Sequence, residues 1–185
     1  MGVVVGKSNF EFDNGRKNAG DTPLGNLVAD CIREQAKVDV GIMNSGGIRS
    51  GLPKGPITKG MVFSMLPFEN RLVSFKATGA QVQQIMDFAA SRLGQNGTLQ
   101  VSGVSFVALG GKATDVKVGG KAIDPKRTYT VATIDYLASG NDGATVFQQV
   151  KDFHATGQLV RDAFMAYIKT KPLIEAPATG RIQQR

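Results

Sequence analysis

Val38-Asp39-Val40-Gly41-Ile42-Met43-Asn44-Ser45-Gly46-Gly47-Ile48-Arg49 reads as a short strand that runs directly into a glycine turn. The apolar run at 38–43 has strand length and ends on polar and glycine residues. Two adjacent glycines lack a Cβ, so the backbone turns sharply and a ligand can approach it closely. The Asn44 amide both donates and accepts hydrogen bonds. The Arg49 guanidinium is a fixed fork of donors suited to phosphate or carboxylate. A polar reader, a hinge and an anion clamp within six residues form a candidate ligand site. The same stretch also reads as a surface turn with a solvated arginine.

Upstream, residues 3–12 read as a strand with a polar end, and 13–21 as a loop rich in Gly, Asn and Asp. Thr22 suits an N-cap with Pro23 at the first helical position. Leu24, Leu27, Val28, Cys31 and Ile32 then recur at helical spacing to about Lys37. Downstream, Thr58 opens a short helix to about Leu66, and 71–76 reads as a strand. Thr78 and Gln81 form a capping box ahead of Val82, Ile85, Met86, Ala89 and Leu93 on one face. Stretches 101–109, 114–118 and 129–134 are strand-like, separated by Gly110-Gly111, Gly119-Gly120 and Asp124-Pro125 turns. A last helix is expected over 156–169. Helices and strands interleave in the first half and strands cluster in the second. The expectation is an α+β fold, one domain over 1–185 with a mixed sheet and packed helices.

At 185 residues, 42% of them hydrophobic, the chain can bury a core, which excludes disorder. No apolar run approaches the ~20 residues that span a bilayer. No secretory leader is legible: the first apolar stretch is Val3-Val4-Val5. The single cysteine, Cys31, cannot form an internal disulfide and lies on the apolar helix face. A formal net charge of +7 raises nucleic-acid binding as a reading. The basic residues are spread out, however, without a basic helix or aromatic–basic interleaving. A diffuse positive surface also suits small phosphate-bearing ligands.

Four segments stand in order: 20–30 (Gly-Asp-Thr-Pro-Leu-Gly-Asn-Leu-Val-Ala-Asp), the turn at 44–49, Leu66-Pro67-Phe68-Glu69-Asn70, and 136–143 (Tyr-Leu-Ala-Ser-Gly-Asn-Asp-Gly). Together they resemble the C-terminal, substrate-binding domain of the 5′-nucleotidase and UDP-sugar hydrolase family. The resemblance runs from about Gly20 to about Phe147 and extends to Gly180-Arg181-Ile182. It implies an α+β domain that grips a nucleotide while a separate domain hydrolyses the phosphate ester. It also implies site residues: Phe68 and Tyr136 clamp the base, Asp142 takes the ribose hydroxyls, Asn44 meets the base edge, Arg49 the phosphate, and Gly47 lies close to the ligand. Tyr136 stands where the family often has Phe; stacking survives, and a hydroxyl is added. The family often carries a second phosphate-binding arginine near position 18. Here that residue is Asn18, and Arg16 is the candidate substitute. Read without the family, Phe68 and Tyr136 also fit core or lid packing, and Asp142-Gly143 is a turn signal.

Two-metal phosphate hydrolysis needs several His, Asp and Asn ligands. This chain has one histidine, His154, read as a solvated residue in a polar loop, and no zinc, P-loop or dinucleotide motif. No catalytic residue is therefore expected in this chain. The resemblance places the divalent metals in an N-terminal metallophosphoesterase domain or subunit, which is the expected partner. It implies a role in nucleotide catabolism and a periplasmic or extracellular location. The alternatives are a structural or dimerisation module with a vestigial pocket, or a nucleic-acid-binding domain.

Overall fold

A computed structural model describes residues 2–14, 20–95 and 97–185. Thr22 caps the first helix as its sequence demands, its side chain accepting from Gly25 N, and Pro23 opens the helix. The elements run β1 (Val4–Ser8), α1 (Pro23–Ala36), β2 (Val40–Asn44), β3 (Gly55–Thr58), α2 (Lys59–Met65), β4 (Arg71–Thr78) and α3 (Gly79–Ser91). There follow β5 (Leu99–Ser102), β6 (Val104–Leu109), β7 (Lys112–Val118), β8 (Lys121–Ala122), β9 (Thr128–Ile134), α4 (Asp135–Ala138), β10 (His154–Leu159), α5 (Val160–Lys169) and β11 (Ile182–Gln184). The fold is α+β, as expected.

A five-stranded sheet has the order β10-β4-β9-β2-β5. It is mixed: β2 runs parallel to β9, and the other neighbours pair antiparallel. A second sheet of four strands has the order β11-β6-β7-β8, with β11 parallel to β6. Helix α1 packs on β2 and β5 and against α5; α3 packs on β7 and β4. Leu24, Ile32, Ile42, Leu72, Phe106, Phe147 and Phe164 are fully enclosed in one continuous core. Cys31 is in that core, and burial pushes its thiol well above the usual range.

Four sequence expectations are corrected. The strand expected over 101–109 is two strands of different sheets, β5 and β6, divided at Gly103. Gly103 has φ +75°, and a Cβ there would collide with the Asp39 carbonyl. Only glycine allows the chain to change sheets at that point. The last helix starts at Val160, not 156, because Thr156 Oγ1 donates to the Leu72 carbonyl and 154–159 is held as an edge strand on β4. His154 accordingly opens β10 opposite Ser74 instead of sitting in a loop. The first strand is shorter than 3–12: it ends at Ser8, and Phe12 forms an isolated bridge to Leu52. Strands β3, β8 and β11 have no counterpart in the sequence reading.

Candidate functional site

The turn after β2 places Asn44 at the mouth of the sheet. Asn44 is its last strand residue, only 4% exposed, and Ser45–Gly47 follow as one 3₁₀ turn. Ser45 N donates to Thr98 O and Arg49 N donates to Met65 O, both at 2.8 Å, so the turn is pinned at each end. A Cβ at Gly47 would lie 2.5 Å from Met43 Cε and 2.9 Å from Asn44 Oδ1, so a side chain there would displace the Met43 methyl and press on the Asn44 amide.

Asn44 Nδ2 donates to Asp142 Oδ2 at 2.8 Å, and the Tyr136 hydroxyl donates to Asp142 Oδ1 at 2.9 Å. A carboxylate only accepts, which fixes the Asn44 amide with its oxygen turned away. That oxygen is buried and has no hydrogen-bond partner among the described residues. Asp142 itself adopts φ +56°, in a turn that Asn141 braces by donating to Tyr136 O at 2.9 Å. Its bond to Asp142 raises the Tyr136 phenol above its usual range, because losing the proton would break that bond and set two anions together.

Arg49 extends from the turn. Its Nη1 donates to Gly46 O at 3.3 Å, and its guanidinium carbon lies 5.9 Å from the centre of the Phe68 ring. Phe68 and Tyr136 are 48% and 38% exposed. Neither ring belongs to the core, which removes core packing as a reading for both. Asn44, Gly47, Arg49, Phe68, Tyr136 and Asp142 all line one cavity of about 380 Å³. Arg16 lies outside the described residues.

The same cavity takes Gly46, Asn70, Arg92 and Gly97. Arg92 and Gly97 escaped the sequence reading. They sit between α3 and β5, and a Cβ on Gly97 would come within 3.1 Å of Asp142 Oδ2. The signal present was an arginine and two glycines between a helix and a strand, the same kind of connection as 44–49. Among the described residues, no group of three or more His, Cys, Asp or Glu could hold a metal ion.

Residues 4–149 match the family described as 5′-nucleotidase, C-terminal domain. This chain belongs to that family. Among relatives of this 5′-nucleotidase C-terminal domain, Endonuclease YhcR of Bacillus subtilis is 37% identical over 139 residues, covering 74% of the chain and 11% of that protein. Protein UshA of Escherichia coli is 31% identical over 175 residues, covering 92% of the chain and 32% of UshA. The crystal structure of a 5′-nucleotidase precursor from Thermus thermophilus superposes with a TM-score of 0.89 at 30% identity, covering 98% of the chain and 39% of that structure. The domain thus spans between a tenth and two fifths of the proteins it matches. No helix among the described residues is long and apolar enough to cross a membrane.

Proposed function

We propose that this domain is the nucleotide-gripping part of a 5′-nucleotidase-type phosphoesterase. A base stacks between Phe68 and Tyr136, Asp142 accepts from the ribose diol, and Arg49 holds a phosphate. The observation that carries this reading is convergence. Residues from four separate stretches, 98 positions apart at the extreme Asn44–Asp142 bond, meet at one cavity with two exposed rings. Among the described residues each carboxylate oxygen accepts from one protein donor, which leaves lone-pair capacity for Asp142 to serve a diol without losing its orientation. Stacking contributes about 1–3 kcal/mol per base and tolerates different bases. Hydrolysis belongs, on this reading, to a metal-bearing domain or subunit beyond residues 1–185, and the full protein works on nucleotides in the periplasm or outside the cell.

Calorimetric titration with adenosine and AMP tests the proposal, together with a thermal-shift series, since a ligand that binds only the folded state raises its stability. Saturable binding that Phe68→Ala weakens supports it. No binding of any nucleoside or nucleotide, or steeply salt-dependent binding of oligonucleotides alone, overturns it. Metal-dependent phosphatase turnover by this chain, abolished by changes to its own residues, would overturn the division of labour.

A further inference from the structure

We infer that Arg161, in the first turn of α5, is a positioning residue that holds the Phe68 side of the cavity in place; its effect on ligand rests on the nucleotide-gripping reading, its geometry does not. Phe68 is half exposed, so packing does not fix its ring. The ring's place depends on the backbone of the loop joining α2 to β4. That backbone is tied from behind, at two carbonyls. Arg161 Nη1 donates to Pro67 O at 3.2 Å, and Val160 N donates to Asn70 O at 3.0 Å. The two carbonyls bracket Phe68 and Glu69, and both are held by the first two residues of one helix.

Arg161 is itself locked. Its guanidinium carbon lies 4.7 Å from the centre of the Phe63 ring on α2, and its side chain is only 12% exposed. Arg161 Nη2 also reaches Glu69 Oε1 at 3.5 Å, but the Glu69 side chain is 82% exposed, so this ion pair contributes little. The stack and the bond to Pro67 O carry the attachment. Helix chemistry alone argues against a cation here: the positive end of the helix dipole disfavours Arg161 and favours its neighbour Asp162. The loop, not the helix, accounts for the arginine.

The test has two readouts. Amide hydrogen exchange at Val160, whose N–H donates to Asn70 O, is compared between the wild type and Arg161→Ala. Adenosine affinity is measured for the wild type, Phe68→Ala, Arg161→Ala and the double variant. Exchange at that amide should rise about tenfold while the α1 amides hold, corresponding to loss of one loop-holding bond. Affinity should fall about tenfold in the wild-type background and not at all in the Phe68→Ala background, since a stacking ring is what the arginine positions. Arg161→Lys should not restore either readout, because an ammonium cannot both lie flat on the Phe63 ring and donate from its edge to the Pro67 carbonyl. If Arg161→Ala does not fold, Arg161→Gln provides the same two measurements. Unchanged exchange at Val160 overturns the inference, as do equal affinity losses in both backgrounds. If Phe68→Ala leaves adenosine affinity intact, the nucleotide reading falls, while the exchange data still decide whether Arg161 holds the loop.

Discussion

Asp30 and Asp142 are both carboxylates gripped through both oxygens, yet they are built for opposite ends. Asp30 receives Arg181 in a fork, Nη1 to Oδ1 at 2.7 Å and Nη2 to Oδ2 at 2.9 Å. Ser102 Oγ adds a third bond to Oδ1, and Arg33 in turn donates to Ser102 Oγ at 2.8 Å. A full counter-charge meets it, and its acceptors are well used. Asp142 is held by an amide and a phenol, both neutral donors. Those bonds orient it without cancelling its charge, and it faces a cavity. A carboxylate paired with a cation serves the fold; on the proposed nucleotide reading, one aimed by neutral donors keeps its charge for a ligand.

Removing each carboxylate should separate the two roles. The largest effect is expected for Asp30→Ala. It strands the Arg181 guanidinium in a partly buried place and should cost about 2–4 kcal/mol of stability by urea denaturation, with nucleotide affinity unchanged. A loss of affinity at constant stability would reverse the assignment. Asp142→Asn should do the converse: adenosine and AMP binding weaken alike by about 1–3 kcal/mol, while the fold loses well under 1 kcal/mol. Calorimetry paired with denaturation decides it, and a stability loss matching that of Asp30→Ala would make the two networks equivalent.

Arg49→Ala should lower AMP affinity by about 1–2 kcal/mol and adenosine affinity by less, because a charge-assisted fork to phosphate is lost. Equal losses for both ligands would remove the phosphate role. The smallest change is expected for Tyr136→Phe, about 0.5 kcal/mol or less in nucleoside affinity, since the stacking face survives. Its signature is in pH. The phenol is raised in the folded protein by its bond to Asp142. Its stabilising contribution is therefore complete below the unfolded phenol value of about 10 and is lost as pH rises through the higher folded value. A pH series of denaturation curves should show that alkaline decline in the wild type and a flatter one in Tyr136→Phe.

Much of this was legible because it is local chemistry. Thr22-Pro23 and the Thr78/Gln81 box specify helix starts within four residues, and both caps form. Asn44 through Arg49 announces its turn by composition. What was not legible depends on distant pairing. Residues 154–159 carry little apolar signal and become a strand because β4 offers them an edge. Gly103 looks like any glycine inside a strand; only the Asp39 carbonyl behind it reveals a change of sheet. In the site, residues within the recognisable segments meet at the cavity, whereas Arg92 and Gly97 lie in a connection without a motif and reach it through the packing of α3 beside β5. Arg16 falls outside the described residues, so its candidacy stays a sequence expectation.

Strand β11 lies beside β6, with Ile182 opposite Phe106, and Asp21 receives the amides of Gly180, Arg181 and Ile182. This pairing sets a schedule for synthesis. A ribosome adds ~5–20 residues per second, so β6 emerges on the order of ten seconds before the strand that covers it. Throughout that interval the nascent chain carries an open sheet edge able to pair with a neighbouring polypeptide. Between the emergence of residues 106 and 182, that edge is open to off-pathway pairing.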